Sequence, residues 1–408
     1  MTLGKSSISR RRFIKSAAAA GAASLAMPAI VRAQPSHYII GASLPMTGPF
    51  ATAGQLIAPS LKMFEAFTNQ AGGIGGVPIK VAVEDSGYVA QNALANYQRL
   101  LASEGDAVIG YFGDSTGFMK LVAPELKGEQ ARLMSSTSFA SELANPETNP
   151  YQFMAGPTYE DQFDILLQNI AAEGGKSVAF IHSNTEFGLD PIEFGKKRAA
   201  ELGIEVKLIE ATKPQGADVA THVTKLAQAD AEYCILQGYV TGVWPQLIGG
   251  ARQFGLPTKF MGTFWGMEKL IADRVTAEAG PFLDGYQGVM PYRYFYDSED
   301  APRYQQMAAF SKEHFAGTPL ENYMPTWGLQ AMLSLDLLAL TLAKTAEAGK
   351  ELTADNAAAM LSEIKDHDTG GFFGPNATIK NNKIGIGRVY QYSAESKLFT
   401  PTSDWLEV

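Results

Sequence analysis

The chain has 408 residues, with 33 Lys plus Arg against 42 Asp plus Glu, five His and one Cys. That length favours two lobes over a single core, and a mean hydropathy of −0.06 with no long apolar run beyond position 33 excludes a polytopic membrane protein. The formal charge of −9 is lopsided: residues 1–33 hold Lys5, Arg10, Arg11, Arg12, Lys15 and Arg32 and no acid, so the remainder stands at −15, a surface that repels phosphate backbones and argues against nucleic-acid binding.

The first element is an address. Ser9-Arg10-Arg11-Arg12-Phe13-Ile14-Lys15 precedes an Ala-rich apolar stretch and the small-x-small site Val31-Arg32-Ala33. This basic, apolar, small order is that of a secretory leader, and its core resembles a twin-arginine export signal. Cleavage near Ala33 would release a periplasmic chain with no neighbouring Cys to carry a lipid.

From His37 onward, strand-like runs at 37–44, 78–84, 107–112, 132–136, 177–182, 205–211, 232–237 and 259–263 alternate with amphipathic stretches at 54–70, 90–103, 117–127, 159–172, 191–202, 218–228 and 243–254. Such alternation predicts an α/β fold with parallel, doubly wound sheets, and its span is enough for two lobes. Beyond Tyr292 the pattern predicts helices over 302–315 and 327–347, then a Gly-rich segment, and a closing β pair of 379–381 with 388–392. Tyr292-Arg293-Tyr294-Phe295-Tyr296 reads as a surface or cleft-rim segment. Cys234, within an apolar run, reads as a buried small hydrophobe. Gly72-Gly73-Ile74-Gly75-Gly76 follows a helix rather than a strand, so it is a helix stop and not a dinucleotide loop. The five His form no i, i+4 pair, so no metal site is legible and no cofactor is expected.

Gly113-Asp114-Ser115-Thr116-Gly117 admits two readings. It matches G-x-S-x-G in a strand-turn-helix context, which makes Ser115 a candidate nucleophile of a secreted hydrolase. Alternatively, Asp114, Ser115 and Thr116 cap the next helix and present hydroxyl and N–H groups to a bound solute.

Three motifs in this order carry a resemblance: Ile39-Ile40-Gly41-Ala42-Ser43-Leu44-Pro45-Met46-Thr47-Gly48-Pro49-Phe50, then Asn69-Gln70-Ala71-Gly72-Gly73-Ile74-Gly75-Gly76-Val77-Pro78-Ile79, then Val83-Glu84-Asp85. Together with Ile181-His182-Ser183-Asn184-Thr185-Glu186-Phe187-Gly188 and Ala251-Arg252-Gln253-Phe254-Gly255-Leu256, they make the chain similar, over nearly all of 37–392, to periplasmic solute-binding proteins of the leucine/isoleucine/valine type. The resemblance implies two Rossmann-like lobes joined by hinge crossovers (a type I periplasmic binding protein) with a ligand in the cleft. We expect residues 34–155 plus 290–370 in lobe 1 and 156–289 plus 371–408 in lobe 2, after a leader of 1–33.

By the same resemblance, Asp114 or Ser115 takes the place of a ligand-binding hydroxyl, and Ser138 and Phe139 fall in the loop that holds a ligand carboxylate. Phe139 occupies the usual threonine position, so that hydroxyl is shifted to Ser138. Phe187 stands for the tyrosine of a Tyr-Gly pair, and Tyr239 lies in a contact loop. Phe264, followed by Trp265, replaces the glutamate that binds an α-ammonium. Either Asp114 supplies the missing charge or the ligand carries no ammonium. Phe112, Phe139, Tyr159, Phe187, Tyr239, Phe264 and Trp265 would wall an aromatic pocket, with core packing the alternative for Phe112.

The expected protein is therefore a monomeric, non-enzymatic binder of an amino acid or small carboxylic acid. Its partners would be an ABC permease with its ATPase and the twin-arginine export machinery. A periplasmic sensor of the same fold and the Ser115 hydrolase are the competing readings.

Overall fold

The strands divide by how much of each is covered. In Tyr38–Leu44 (β1), every residue after the first is buried, as expected of a parallel strand with helices on both faces. Ile79–Asp85 (β2) and Glu205–Thr212 (β7) keep many exposed or half-buried positions and lie at sheet edges. The computed structural model describes residues 35–213, 218–239, 242–294, 300–318, 320–321 and 325–408, so the leader and its cleavage site lie outside the described residues.

His37–Val408 form one unit containing two sheets. The first has the order β2-β1-β3-β4-β5, with β3 Val108–Gly113, β4 Leu133–Ser136 and β5 Gln152–Phe153, all pairs parallel. The second has the order β12-β11-β10-β9-β8-β6-β7. There β6 is Ser177–Ser183, β8 Tyr233–Gln237, β9 Lys259–Gly262, β10 Gln287–Met290, β11 Ile386–Ser393 and β12 Leu398–Pro401. The run from β7 to β10 is parallel, whereas β11 is antiparallel to both of its neighbours. In each sheet the strand order reverses once, between β1 and β3 and between β6 and β8. At such points ligands of open α/β sheets bind beyond the carboxyl ends of the strands.

The expected alternation is present, with ends displaced by a few residues. The helix expected over 117–127 runs only Thr116–Val122, because Pro124 has no N–H to continue it and the chain tightens into a 3-10 turn. The closing β pair differs from expectation: 388–392 lies within β11, which pairs with β10 and β12, while Lys380 makes only an isolated bridge to Lys383. Tyr292 and Tyr294 are not at the surface; both are buried, and the Tyr292 hydroxyl donates to the Ala155 carbonyl at 2.5 Å. Phe295 and Tyr296 lie outside the described residues.

After β10 the chain crosses to helices that cover the first sheet. Thr326–Glu347, apolar and long enough to span a bilayer by composition, has most of its residues buried and packs on β3, β4 and the helix Ala51–Gln70, so it is a core helix. Phe372 and Phe373 stack near Tyr292 and Tyr304, and the Asn382 carbonyl accepts from Met154 N–H at 2.8 Å before Ile386 joins the second sheet.

Candidate functional site

The loops after β1, β3, β6 and β8 converge, and they carry Phe50, Asp114, Phe187 and Tyr239. The first loop is fixed by Asp85 at the end of β2. Its carboxylate accepts from Met46 N–H at 2.8 Å and from the Thr47 hydroxyl at 2.6 Å, and these bonds, Thr47 foremost, hold its pKa below the usual carboxylate range. This explains why the Pro45–Phe50 turn and the Val83-Glu84-Asp85 strand end occur together. The turn delivers the Phe50 ring against Tyr88 and Tyr239, with centroids 4.2 and 4.6 Å away.

Tyr239 is the hub. Its ring also meets Phe187 at 5.2 Å, Trp265 at 5.3 Å and Trp327 at 5.9 Å, and its hydroxyl lies 3.4 Å from that of Tyr88. Phe50, Tyr88 and Trp327 belong to the first sheet's side, and Phe187, Tyr239 and Trp265 to the second's. The rings therefore join the two lobes through tilted and edge-to-face contacts, aromatic pairings worth about 0.5–1.5 kcal/mol each beyond burial. Phe139 extends the cluster to Tyr159 at 5.9 Å and Phe264 at 5.7 Å. Phe112 is buried in β3 but takes part in none of these ring contacts, which supports the core alternative.

Two buried glutamines hold the wall in place. Gln237 at the end of β8 donates to the Phe187 carbonyl at 2.9 Å and accepts from the Thr263 hydroxyl at 2.6 Å. Gln162 donates to the Pro157 carbonyl and accepts from Phe264 N–H at 2.9 Å. Trp265 Nε1 donates to the Tyr159 hydroxyl at 3.2 Å. Gly188 is required for close approach, since a Cβ there would lie 1.8 Å from the Ser183 carbonyl oxygen.

The polar floor belongs to the first lobe. Ser115 caps Thr116–Val122, accepting from Phe118 N–H at 3.2 Å, and no His is among its hydrogen-bond partners in the described residues. The Ser138 hydroxyl is shared with Thr116 at 2.7 Å and accepts from Ala140 N–H at 3.1 Å, so it is anchored within the loop. Asp114 is 4% exposed; one carboxylate oxygen accepts from the Ser86 hydroxyl, while Oδ1 is buried without a hydrogen-bond partner. Burial pushes its pKa up to about 6, partly offset by serine hydroxyls.

Sequence reasoning passed over Phe50, Tyr88, Trp327 and Glu268. Glu268 is fully buried on the second lobe's side, where it accepts from Leu270 N–H at 3.2 Å and, across the cleft, from Trp327 N–H at 3.3 Å. It stands four positions after Phe264, so a carboxylate survives near this wall, facing the N-terminus of the core helix. The lobes also meet at Ser141, whose N–H (3.1 Å) and hydroxyl (2.7 Å) donate to Asp190, and at the Lys120–Glu186 ion pair.

Against known proteins, the chain is 22% identical to a leucine-, isoleucine-, valine-, threonine- and alanine-binding protein of Pseudomonas aeruginosa, across 63% of this chain and 67% of that one. It is 24% identical to Leu/Ile/Val-binding protein homolog 1 of Brucella suis, across 60% and 65%. The matched regions thus span about two thirds of these relatives' length. Among solved structures, it resembles a branched chain amino acid ABC transporter protein of Thermus thermophilus with bound valine, with TM-score 0.81, 19% identity and 91% and 97% of the two chains covered. It also resembles a solute binding protein of an ABC transporter from Rhodopseudomonas palustris BisB5 in complex with 3,4-dihydroxybenzoic acid, with TM-score 0.74, 18% identity and 91% and 98% covered. At these identities the likeness establishes the fold, two α/β lobes of the type I periplasmic binding protein class. The family model for periplasmic binding proteins matches residues 38–397, almost the whole described chain, and the chain belongs to that family.

Proposed function

We propose that this chain is the solute-capturing component of an ABC importer. It takes a small organic solute between its lobes at the aromatic cluster and hands it to a membrane permease driven by an ATPase. The observation that carries this reading is the convergence of Phe50, Asp114, Phe187 and Tyr239 from the strand ends of both sheets onto one ring cluster. A solute touching both walls favours the closed arrangement by its differential affinity. Contacts assigned to the ligand are Asp114, Ser115, Ser138, Phe139, Phe187, Tyr239, Phe264 and Trp265, joined by Phe50, Tyr88 and Trp327. The neighbours' recorded ligands, valine and a dihydroxybenzoic acid, bracket the aliphatic and aromatic solutes that an apolar, ring-lined site would suit.

The leader fits export by the twin-arginine route with cleavage near Ala33 and work in the periplasm as a monomer. The capping role of the Ser115 hydroxyl favours binding over hydrolysis. A thermal-shift screen of the exported chain tests capture, since a solute bound only by the folded state raises the transition. Loss of uptake of the solute that shifts it, in a strain lacking the chain, separates import from sensing. Unchanged uptake would reassign the chain to sensing, and ester turnover abolished by Ser115→Ala would revive the hydrolase.

A further inference from the structure

Building on the solute-binding reading, we infer that the solute carries a protonated amine and that Asp114 of the first lobe is its counter-charge. Asp114 has one carboxylate oxygen engaged by Ser86 and the other, Oδ1, buried without a partner. Native proteins seldom leave such an atom unsatisfied, and a buried carboxylate without a cation is costlier still. The main influences on its ionisation are burial and serine hydroxyls, and none of them is a cation.

The buried or half-buried lysines near the cleft are already committed. Lys269 is ion-paired to Asp273, and Lys120 is paired to Glu142 and Glu186. On the opposite wall Glu268 adds a second buried carboxylate, bonded to Leu270 and Trp327 backbone N–H groups. Ser86, which donates to Asp114, itself accepts from Tyr88 N–H at 3.1 Å, so the carboxylate adjoins the segment that carries Tyr88 into the ring cluster. A buried carboxylate beside electron-rich rings, with Lys120 and Lys269 already paired to other acids, describes a site for a positive group, with the rings taking the cation and its hydrocarbon stem. A purely anionic solute would set like charge beside Asp114. The carboxylate thus stands on the first lobe, opposite the Phe264 position where the resemblance led us to look for one.

The test uses matched solutes that differ only in the amine, titrated into exported chain that has been unfolded and refolded to strip any endogenous solute. The pairs are leucine with 4-methylpentanoate, phenylalanine with 3-phenylpropionate, and phenethylamine with 2-phenylethanol. At least one amine should bind on the order of 100-fold more tightly than its twin, as a charge-assisted bond to a buried carboxylate implies. Asp114→Asn should collapse that ratio to within about tenfold, whereas Ser86→Ala, which frees one oxygen and keeps the charge, should preserve it. Equal or tighter binding of an amine-free twin, an unchanged ratio in Asp114→Asn, or silence from all six compounds overturns the inference. Binding of the twins alone would leave the solute-binding reading intact. That reading falls only if a wider screen of polyols, nucleosides and inorganic anions is silent too.

Discussion

Replacing Asp114 by Asn removes a buried charge while keeping nearly the same shape, and the structure sets both the sign and the size of the effect. Burial raises the Asp114 pKa from 3.8 to about 6. Between those values the folded chain holds a proton that the unfolded chain has released. Stability therefore falls as pH rises through that window, and the whole penalty is present above pH 6. The displacement of about two units, at 1.36 kcal/mol each, amounts to about 3 kcal/mol. Asn cannot ionise, and it can still accept from Ser86. In solute-free protein at pH 7, Asp114→Asn should thus be more stable than the parent by up to about 3 kcal/mol, with the difference gone below about pH 4. Urea midpoints collected from pH 4 to 8 for both proteins measure this. A difference that does not change with pH, or a variant less stable at pH 7, refutes the burial argument.

Tyr239→Ala empties the centre of five ring contacts and should cost about 3–5 kcal/mol in denaturant unfolding, whereas Tyr239→Phe, which loses only a 3.4 Å hydroxyl contact, should cost under about 1 kcal/mol. Asp190→Ala releases the Ser141 latch between the lobes and should weaken solute binding on the order of tenfold in calorimetric titration, with little change in far-UV circular dichroism. Gly188→Ala drives a methyl to 1.8 Å from the Ser183 carbonyl; it should lower the unfolding midpoint and displace Phe187, read as a weakened fluorescence response to solute.

Much of the fold was legible because its cause is local. Buried parallel strands such as β1 announce themselves as continuous apolar runs, and the helix Tyr159–Ala172 falls where its amphipathic pattern and Thr158–Asp161 capping box put it. What failed was non-local. The isolated turn at Lys380–Lys383 looks like a strand in sequence, yet only a sheet edge decides whether a run pairs. Tyr292 and Tyr294 read as a surface or cleft-rim segment because they follow a crossover strand in an acidic chain, yet both are buried.

Motifs carried the expectations at Asp114, Phe187, Tyr239 and Phe264, and the structure brings the last three into ring contacts of one cluster. Phe50 stood at the end of a quoted motif without being assigned a role, although the Asp85 clamp that aims it was in view. Trp327 and Tyr88 come from segments far apart in sequence, and nothing short of the packed lobes brings them to Tyr239. Glu268 was hidden by its distance from Phe264, the position at which the resemblance places a glutamate, and an acidic residue before a helix reads first as a cap, which it also is.

Two of the four tryptophans, Trp265 and Trp327, lie in the ring cluster, so intrinsic fluorescence reports directly on its occupation. The decisive measurement is a fluorescence titration of refolded, solute-stripped protein with the compounds that raise its thermal transition. Capture between the lobes predicts a saturable change with one solute per chain, abolished by Tyr239→Ala. A thermal shift with no change at these tryptophans, or binding that survives Tyr239→Ala unaltered, would contradict it.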